Sequence, residues 1–306
     1  MIRVVGSINL DLIANVERLP QAGETVPGRS FATAAGGKGA NQALAACRAG
    51  ASVAMTGAVG RDNFAEPALE LLRQGGVDLA GVRRSDAATG IALILVDANG
   101  QNQITVIAGA NGKISAAHIP AFTLDAIALL QLEIPVATVA AILGATRAAG
   151  ARSVLNTAPA LPETGDLLAK ADFVIANEHE FAFYVEALGL NGNSRRAKMR
   201  HFAERTGRTI VVTLGPAGAV AVSLQGTFEA PALNITPVDT VGAGDTFCGA
   251  ILTSLWERGV TGRAGLGLLD RSQWTEILTF GAAAAAIAVS RPGADPPARS
   301  ELRLGA

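Results

Sequence analysis

The sequence predicts an α/β protein: a three-layer α/β/α body with a mainly parallel sheet, and a small β lid set into it. Two observations carry the body. Short continuous apolar runs alternate with helical patterns along most of the 306 residues, as strands covered on both faces by helices do. Hydrophobic residues make up 49% of the chain, enough to bury a large core. A third observation carries the lid: a hairpin signal near residues 90–108 interrupts the alternation.

Residues 3–8 read as a buried strand and 40–49 as an alanine-rich helix opened by glycines. Residues 51–58 follow as a strand. Residues 62–74 form a helix, with Asp62 placed to cap its start and Gly75-Gly76 to stop it. Further apolar strands fall at 126–132, 153–156, 173–176 and 209–214. A later strand ends near Pro237, and a helix runs from about Thr246 to Arg258. In the hairpin, 90–96 and 103–108 are joined by Asp97-Ala98-Asn99-Gly100, and Asn-Gly between β-rich runs is a strong turn signal. Its first strand is apolar on both faces: Ile91, Leu93 and Leu95 on one, Ala92, Ile94 and Val96 on the other. Two dry faces call for two covers, the body and a second subunit. The polar, irregular segment 9–35 is expected to pair with this hairpin. The expected organisation is a body of 1–8, 37–87 and 110–306 with a lid of 9–36 and 88–109.

A formal net charge of −1 argues against a nucleic-acid or membrane-surface partner. The basic cluster Arg195, Arg196, Lys198, Arg200 and Arg205 reads as the solvated face of a helix whose buried stripe is Met199, Phe202, Ala203 and Thr206. The start of the chain does not read as a signal peptide. The apolar run at 280–289 is far short of the roughly 20 residues that cross a bilayer. Cys47 and Cys248 show no metal-ligand spacing and read as buried thiols in a reducing cytoplasm.

The strongest chemical constellation is Val238-Asp239-Thr240-Val241-Gly242-Ala243-Gly244-Asp245-Thr246-Phe247. Small residues at a helix start let backbone N–H groups converge on an anion, and the helix dipole adds to the attraction. Asp245 would repel that anion unless it is a base that takes the proton of an alcohol attacking phosphorus. A dinucleotide fingerprint would need glycine where Phe247 stands, and no Walker A pattern exists. Taken alone, the motif fits a tight turn with Asp245 as its cap equally well. Gly36-Gly37-Lys38-Gly39-Ala40-Asn41 allows close approach of a ligand to the backbone, with the Asn41 amide suited to a polyol. Asn9 and Asp11 follow the first strand, two residues apart and so on one side if the strand continues. Glu133 follows an apolar strand as a ligand group or a helix cap. Asn177-Glu178-His179-Glu180 also follows a strand, with carboxylates suited to magnesium reached through waters.

These motifs together, from Gly6-Ser7-Ile8-Asn9-Leu10-Asp11 through Ala108-Gly109-Ala110-Asn111 and Gln131-Leu132-Glu133 to Asp239–Asp245, resemble the ribokinase-like (PfkB) family of carbohydrate kinases nearly end to end. The resemblance implies an ATP-dependent kinase that converts D-ribose to ribose 5-phosphate. It implies Asp245 as base, with Gly242, Ala243 and Gly244 supplying anion-hole amides. It places Asn9, Asp11, Gly37, Lys38, Asn41, Glu133 and Asp245 itself on the sugar. Asn177, Thr213, Gly215, Gly218 and Gly244 fall on the nucleotide, and Glu180 acts near magnesium. A monovalent cation, potassium, would sit by Asp239 and the carbonyls of Val241, Ala288, Arg291 and Gly293. Three residues depart from the family pattern: Thr157 stands for a usual proline, Ala282 for a frequent polar residue by the adenine, and Pro297 for a serine near the cation. They bear on nucleotide preference and cation activation, not on reaction type. The alternatives are a kinase for fructose, deoxyribose or a nucleoside, or a non-catalytic binder on the same scaffold; a base against a phosphate cradle argues against the binder.

Overall fold

The computed structural model describes residues 1–262 and 265–302. Its strands are β1 (Ile2–Val5), β2 (Asn9–Val16), β3 (Gly28–Gly36), β4 (Val53–Val59), β5 (Asp78–Arg84), β6 (Gly90–Val96), β7 (Asn102–Ile107), β8 (Ile127–Leu130), β9 (Arg152–Asn156), β10 (Phe173–Asn177), β11 (Thr209–Thr213), β12 (Ala219–Ser223) and β13 (Gly226–Ala230). Its α-helices are α1 (Lys38–Arg48), α2 (Ala65–Gln74), α3 (Val136–Ala148), α4 (Gly165–Lys170), α5 (Glu178–Ala187), α6 (Arg195–Thr206), α7 (Ala243–Glu257) and α8 (Arg271–Val289).

The large sheet has nine strands in the order β13-β12-β11-β10-β9-β8-β1-β4-β5. It is parallel from β5 to β11 and antiparallel at β12 and β13. Strand periodicity explains the three layers. Val4, Leu129, Val154, Ile175 and Val211 enter a core with residues of α1, α2, α7 and α8. Their neighbours Val5, Leu130, Leu155, Val174 and Val212 enter a second core with residues of α3, α5 and α6. Alternate side chains thus feed opposite faces, and both faces are dry.

The second sheet has the order β3-β2-β6-β7. Residues 9–16 and 28–36, expected to be irregular, are two regular strands, and β2 pairs with the hairpin through β6 in parallel register. Their polarity reflects a sheet that projects from the body. Outside the chain's own contacts, Phe31, Leu93, Ile104, Val106 and Ile107 stay exposed.

Three local expectations need correction. Asp62 does not cap α2, whose N-cap is Phe64. Its carboxylate instead accepts from the Thr89 N–H at 2.7 Å and the Thr89 hydroxyl at 2.7 Å, tying the body to the start of the lid hairpin. No strand ends near Pro237: β13 stops at Ala230, before Pro231, and 231–242 is irregular. Two prolines deny that stretch ladder donors, and the Val238 and Asp239 amides bond to the Val289 carbonyl instead. Finally, α7 begins at Ala243, which puts Asp245 inside its first turn. The basic helix behaves as read: Met199, Phe202 and Ala203 are buried, and Arg195 and Arg196 pair with Glu178 and Glu229. Among the described residues, no helix is long and apolar enough to cross a membrane.

Candidate active site

In the large sheet β1 lies between β4 and β8, so the chain leaves β1 to one side and returns on the other. Loops beyond such a switch point diverge and leave a crevice at the C-terminal strand ends. The expected site residues gather there. Ser7, fully buried, donates from its hydroxyl to Glu133, and the Lys38 N–H donates to the same Oε2 at 3.0 Å. Glu133 therefore serves the start of α1 across the crevice, not the helix that follows it, whose N-cap is Pro135.

Asn9 and Asp11 sit on one side of β2, as expected. Asn9 is buried, and its Oδ1 accepts from Asn111 Nδ2 at 2.7 Å. Asn111 also grips the Ile8 backbone through both N–H and C=O. Asp11 lies against Gly36, where an added Cβ would come within 2.3 Å of its Oδ1, so only glycine leaves that carboxylate its place. Burial, followed by the charges of Glu133 and Asp245, pushes the Asp11 carboxyl up to about 6, against the opposing pull of Lys38. Lys38 itself is held above its usual range, chiefly by Asp245 and further by Glu133 and Glu180. One ammonium thus stands among the carboxylates of both halves of the crevice.

Asp245 is buried at the start of α7. Asn41 Nδ2 donates to its Oδ2 at 3.1 Å, and Gln42 Nε2 to its Oδ1 at 2.8 Å. Gly242 closes the preceding turn with φ 74°, and a Cβ there would lie 2.6 Å from that of Ala294. A Cβ on Gly244 would meet nothing within 4 Å, so the space before the helix is open. First-turn N–H groups lack intrahelical acceptors, which leaves an anion-receptive end facing that space.

Asn177 and Thr213 are partners across β10 and β11 and end side by side. Asn177 caps α5 and, with its own N–H and Nδ2, holds the Glu180 carboxylate at 3.1 and 2.8 Å. Thr157 adds a hydroxyl donor to Glu180 Oε2 at 2.9 Å. Gly215 opens the next turn with a free flank, while Gly218 is pressed against the Ala230 carbonyl. The geometry is therefore a polar, carboxylate-lined cleft on one side of Asp245 and an open, amide-rimmed space on the other.

Comparison with known proteins agrees. Residues 1–301 match the pfkB family of carbohydrate kinases. The chain belongs to this family. It is 34% identical to a ribokinase of Schizosaccharomyces pombe, across 95% of this chain and 92% of that one. It is 35% identical to a deoxyribokinase of Salmonella typhi, across 81% and 83%. The structure of an Arabidopsis thaliana ribokinase complexed with ribose and ATP superposes with TM-score 0.82 at 29% identity, covering 98% of this chain and 96% of that one.

In this carbohydrate kinase, the segment proposed to hold a cation is organised by Asp239. Its Oδ1 accepts from Val241 N–H at 2.9 Å and its Oδ2 from Gly293 N–H at 2.8 Å, so one carboxylate ties two loops together. Ala288 lies in the last turn of α8, which ends at Val289, and its carbonyl accepts from the Arg291 N–H at 3.1 Å. Pro297 and Ala282 lie buried close by in sequence, neither offering a side-chain donor. Reasoning from sequence missed Asn111, Gln42, Gln131 and Asn156 as polar groups of the site. Asn111 and Gln131 stood inside the family-like motifs and Gln42 directly followed one, and their signal was a neutral amide amid small and apolar residues.

Proposed function

We propose that this chain transfers the γ-phosphoryl group of ATP to D-ribose, giving ribose 5-phosphate and ADP. The observation that carries the reading is Asp245, a carboxylate in the first turn of α7 that faces a crevice of hydrogen-bonding groups and adjoins a helix start with no side-chain cap. Asn9, Asp11, Lys38, Asn41, Glu133 and the Gly37 backbone hold the sugar hydroxyls. Asp245 accepts the proton of the attacking hydroxyl as its oxygen bonds to phosphorus and ADP leaves. The amides of Gly242, Ala243 and Gly244 receive the charge that develops on the transferred group. The lid sheet closes over the sugar and keeps out water that would otherwise take the phosphoryl group. Asn177, Thr213, Gly215 and Gly218 line the nucleotide.

Magnesium belongs to the same proposal, and Glu180 fits it in a particular way. Its two oxygens already accept three hydrogen bonds from Asn177 and Thr157. Among the described residues, no three His, Cys, Asp or Glu side chains converge on one point. Magnesium carried by phosphates and reached by Glu180 through water suits that arrangement, and it would neutralise charge on the triphosphate. The loops joined by Asp239 suit potassium, with the carbonyls of Val241, Ala288, Arg291 and Gly293 as further oxygens. Its effect would be to order the Gly242–Gly244 amides. The exposed apolar residues of the lid support a homodimer formed lid to lid in the cytoplasm.

The test is ADP release with D-ribose, 2-deoxy-D-ribose, fructose and adenosine as acceptors. Ribose should give the highest kcat/KM. A higher value with any of the other three would overturn the substrate assignment.

A further inference from the structure

We infer that Gln42 is a positioning residue of the phosphoryl transfer: it occupies Asp245 Oδ1, so the proton of the sugar hydroxyl is delivered to Oδ2. The inference rests on the reading of Asp245 as the base. Gln42 is fully buried in α1. Its Nε2 donates to Asp245 Oδ1 at 2.8 Å and to Asn156 Oδ1 at 3.0 Å, and its Oε1 accepts from Gln131 Nε2 at 2.6 Å. Asn156 Nδ2 in turn donates to the Ile175 carbonyl at 3.2 Å.

The two ends of this chain of amides decide how every member points. A main-chain carbonyl can only accept, which turns the Asn156 amide nitrogen to Ile175 and its oxygen to Gln42. An ionised carboxylate can only accept, which turns the Gln42 nitrogen to Asp245 and its oxygen to Gln131. A proton on Oδ1 would need an acceptor that Gln42 does not present. Reversing Gln42 would set oxygen against Asn156 Oδ1 and nitrogen against Gln131 Nε2. Oδ2 has no such constraint: it carries only the Asn41 donor and borders the crevice. Close packing holds the hub in reach. One turn along, a Cβ on Gly249 would lie 2.6 Å from Ala45 Cβ and 2.6 Å from Ala46 N, so α1 and α7 approach nearly backbone to backbone. The Asp245 charge acts in turn on Lys38 of α1, Asp11 of β2 and the buried Cys248 thiol of α7, and none of the three is part of the amide chain.

The test compares Gln42→Met, which keeps the length and removes the donor, with Gln42→Glu, which keeps the shape. Both are measured as purified enzyme against pH, with the acceptor that the wild type turns over fastest. An unexpected acceptor would therefore correct the proposed function and leave this test intact. For Gln42→Met, kcat should fall about tenfold or more, a part of the roughly 10²–10⁴ that loss of a general base costs. The acid limb of its profile should move up by about one pH unit, because the anionic carboxylate has lost a donor. The sugar KM should stay within about twofold. Gln42→Glu should move the acid limb further, through like charge, and it carries the test if the methionine variant does not fold. In an Asp245→Asn background, either substitution should change kcat little further. A merely structural role would lower the melting temperature and leave the profile in place. An unmoved acid limb with kcat within twofold of wild type in the folded variants would overturn the inference.

Discussion

Replacing Asp11 by asparagine separates what the sugar site costs from what it does. Its carboxyl, ordinarily at 3.8, is raised to about 6 by burial and by Glu133 and Asp245, with Lys38 only partly offsetting them. Above pH 6 the folded protein holds a charge that the unfolded chain carries more easily. The sign follows: this penalty is absent below the unfolded value near 4, grows as pH rises, and is complete above about 6. The difference between 3.8 and about 6 corresponds to at most about 3 kcal/mol. In a chain of this size that raises the melting temperature of ligand-free Asp11→Asn by several degrees at pH 7.5. The gain should shrink as pH falls from 6 to 4, where wild-type Asp11 is protonated too. Sugar binding should move the other way. Hydroxyl donors favour the ionised carboxylate, so wild-type ribose affinity falls roughly tenfold per pH unit below about 6, while the variant binds weakly with a flat profile. Scanning calorimetry and titration calorimetry read the two effects. A variant that melts no higher than wild type at pH 7.5, or wild-type ribose affinity constant from pH 5 to 7.5, would refute the reasoning.

Asp245→Asn should lower kcat by about 10²–10⁴ and leave ribose binding largely intact; retention of more than half of wild-type kcat would remove Asp245 as the base. Leu93→Lys and Ile94→Lys place charge on opposite faces of β6, so at least one should convert a dimer to monomers, and light scattering showing a wild-type monomer would refute the lid interface. Potassium should raise kcat more than it changes sugar KM, compared with a bulky organic cation at equal ionic strength, and Asp239→Ala should abolish the difference. Equal rates in the two salts would place no functional cation beside Asp239. Thr157→Val removes one of three hydrogen bonds on Glu180 and should raise the magnesium concentration needed for half-maximal rate by about tenfold, the lower end of the worth of one hydrogen bond to a charged group; an unchanged requirement would detach Thr157 from the metal.

Most of the body was legible because its signals are local. Continuous apolar runs such as 173–176 and 209–214 became β10 and β11 within a residue or two, since a strand buried on both faces has no other composition. The lid hairpin was legible through Asn99-Gly100, and Gly100 does take φ 78°. The strands β2 and β3 were not: β3 is mostly exposed and has no dry stripe, and in β2 the stripe of Leu10, Leu12, Ala14 and Val16 is interleaved with Asn9, Asp11 and Asn15. The stretch 231–242 misled for the opposite reason: Leu233, Ile235 and Val238 imitate a strand, yet all three remain exposed and Pro231 and Pro237 deny them a ladder. Glu133 shows a third limit. Sequence places a carboxylate after a strand, but only the fold reveals that it reaches the start of α1, 95 residues away.

The two halves of the cleft are built to different tolerances, and this bears on how the reaction is ordered. On the sugar side, Ser7, Asn9, Asn111, Gln42 and Gln131 are all buried and bonded to one another or to backbone. Only Gln131 Oε1 among these groups is buried without a partner, and shifting a member would leave further buried amides unpaired, so the network presents its polar groups already in place. The proposed nucleotide side is tied more locally: Asn177 and Thr157 hold Glu180, while the flanks of Gly215 and Gly244 are empty and Asn177 is exposed. Under the proposed assignment a triphosphate would approach from solvent toward the start of α7, while the sugar would enter a more rigid cradle under the lid. Asp245 belongs to the rigid half, through Gln42 and Asn41, yet stands at the mouth of the open one. With Asp245 as the proposed base, that position would make phosphoryl transfer depend on a sugar hydroxyl already seated, and would leave water, which has no cradle to seat it, a poor acceptor.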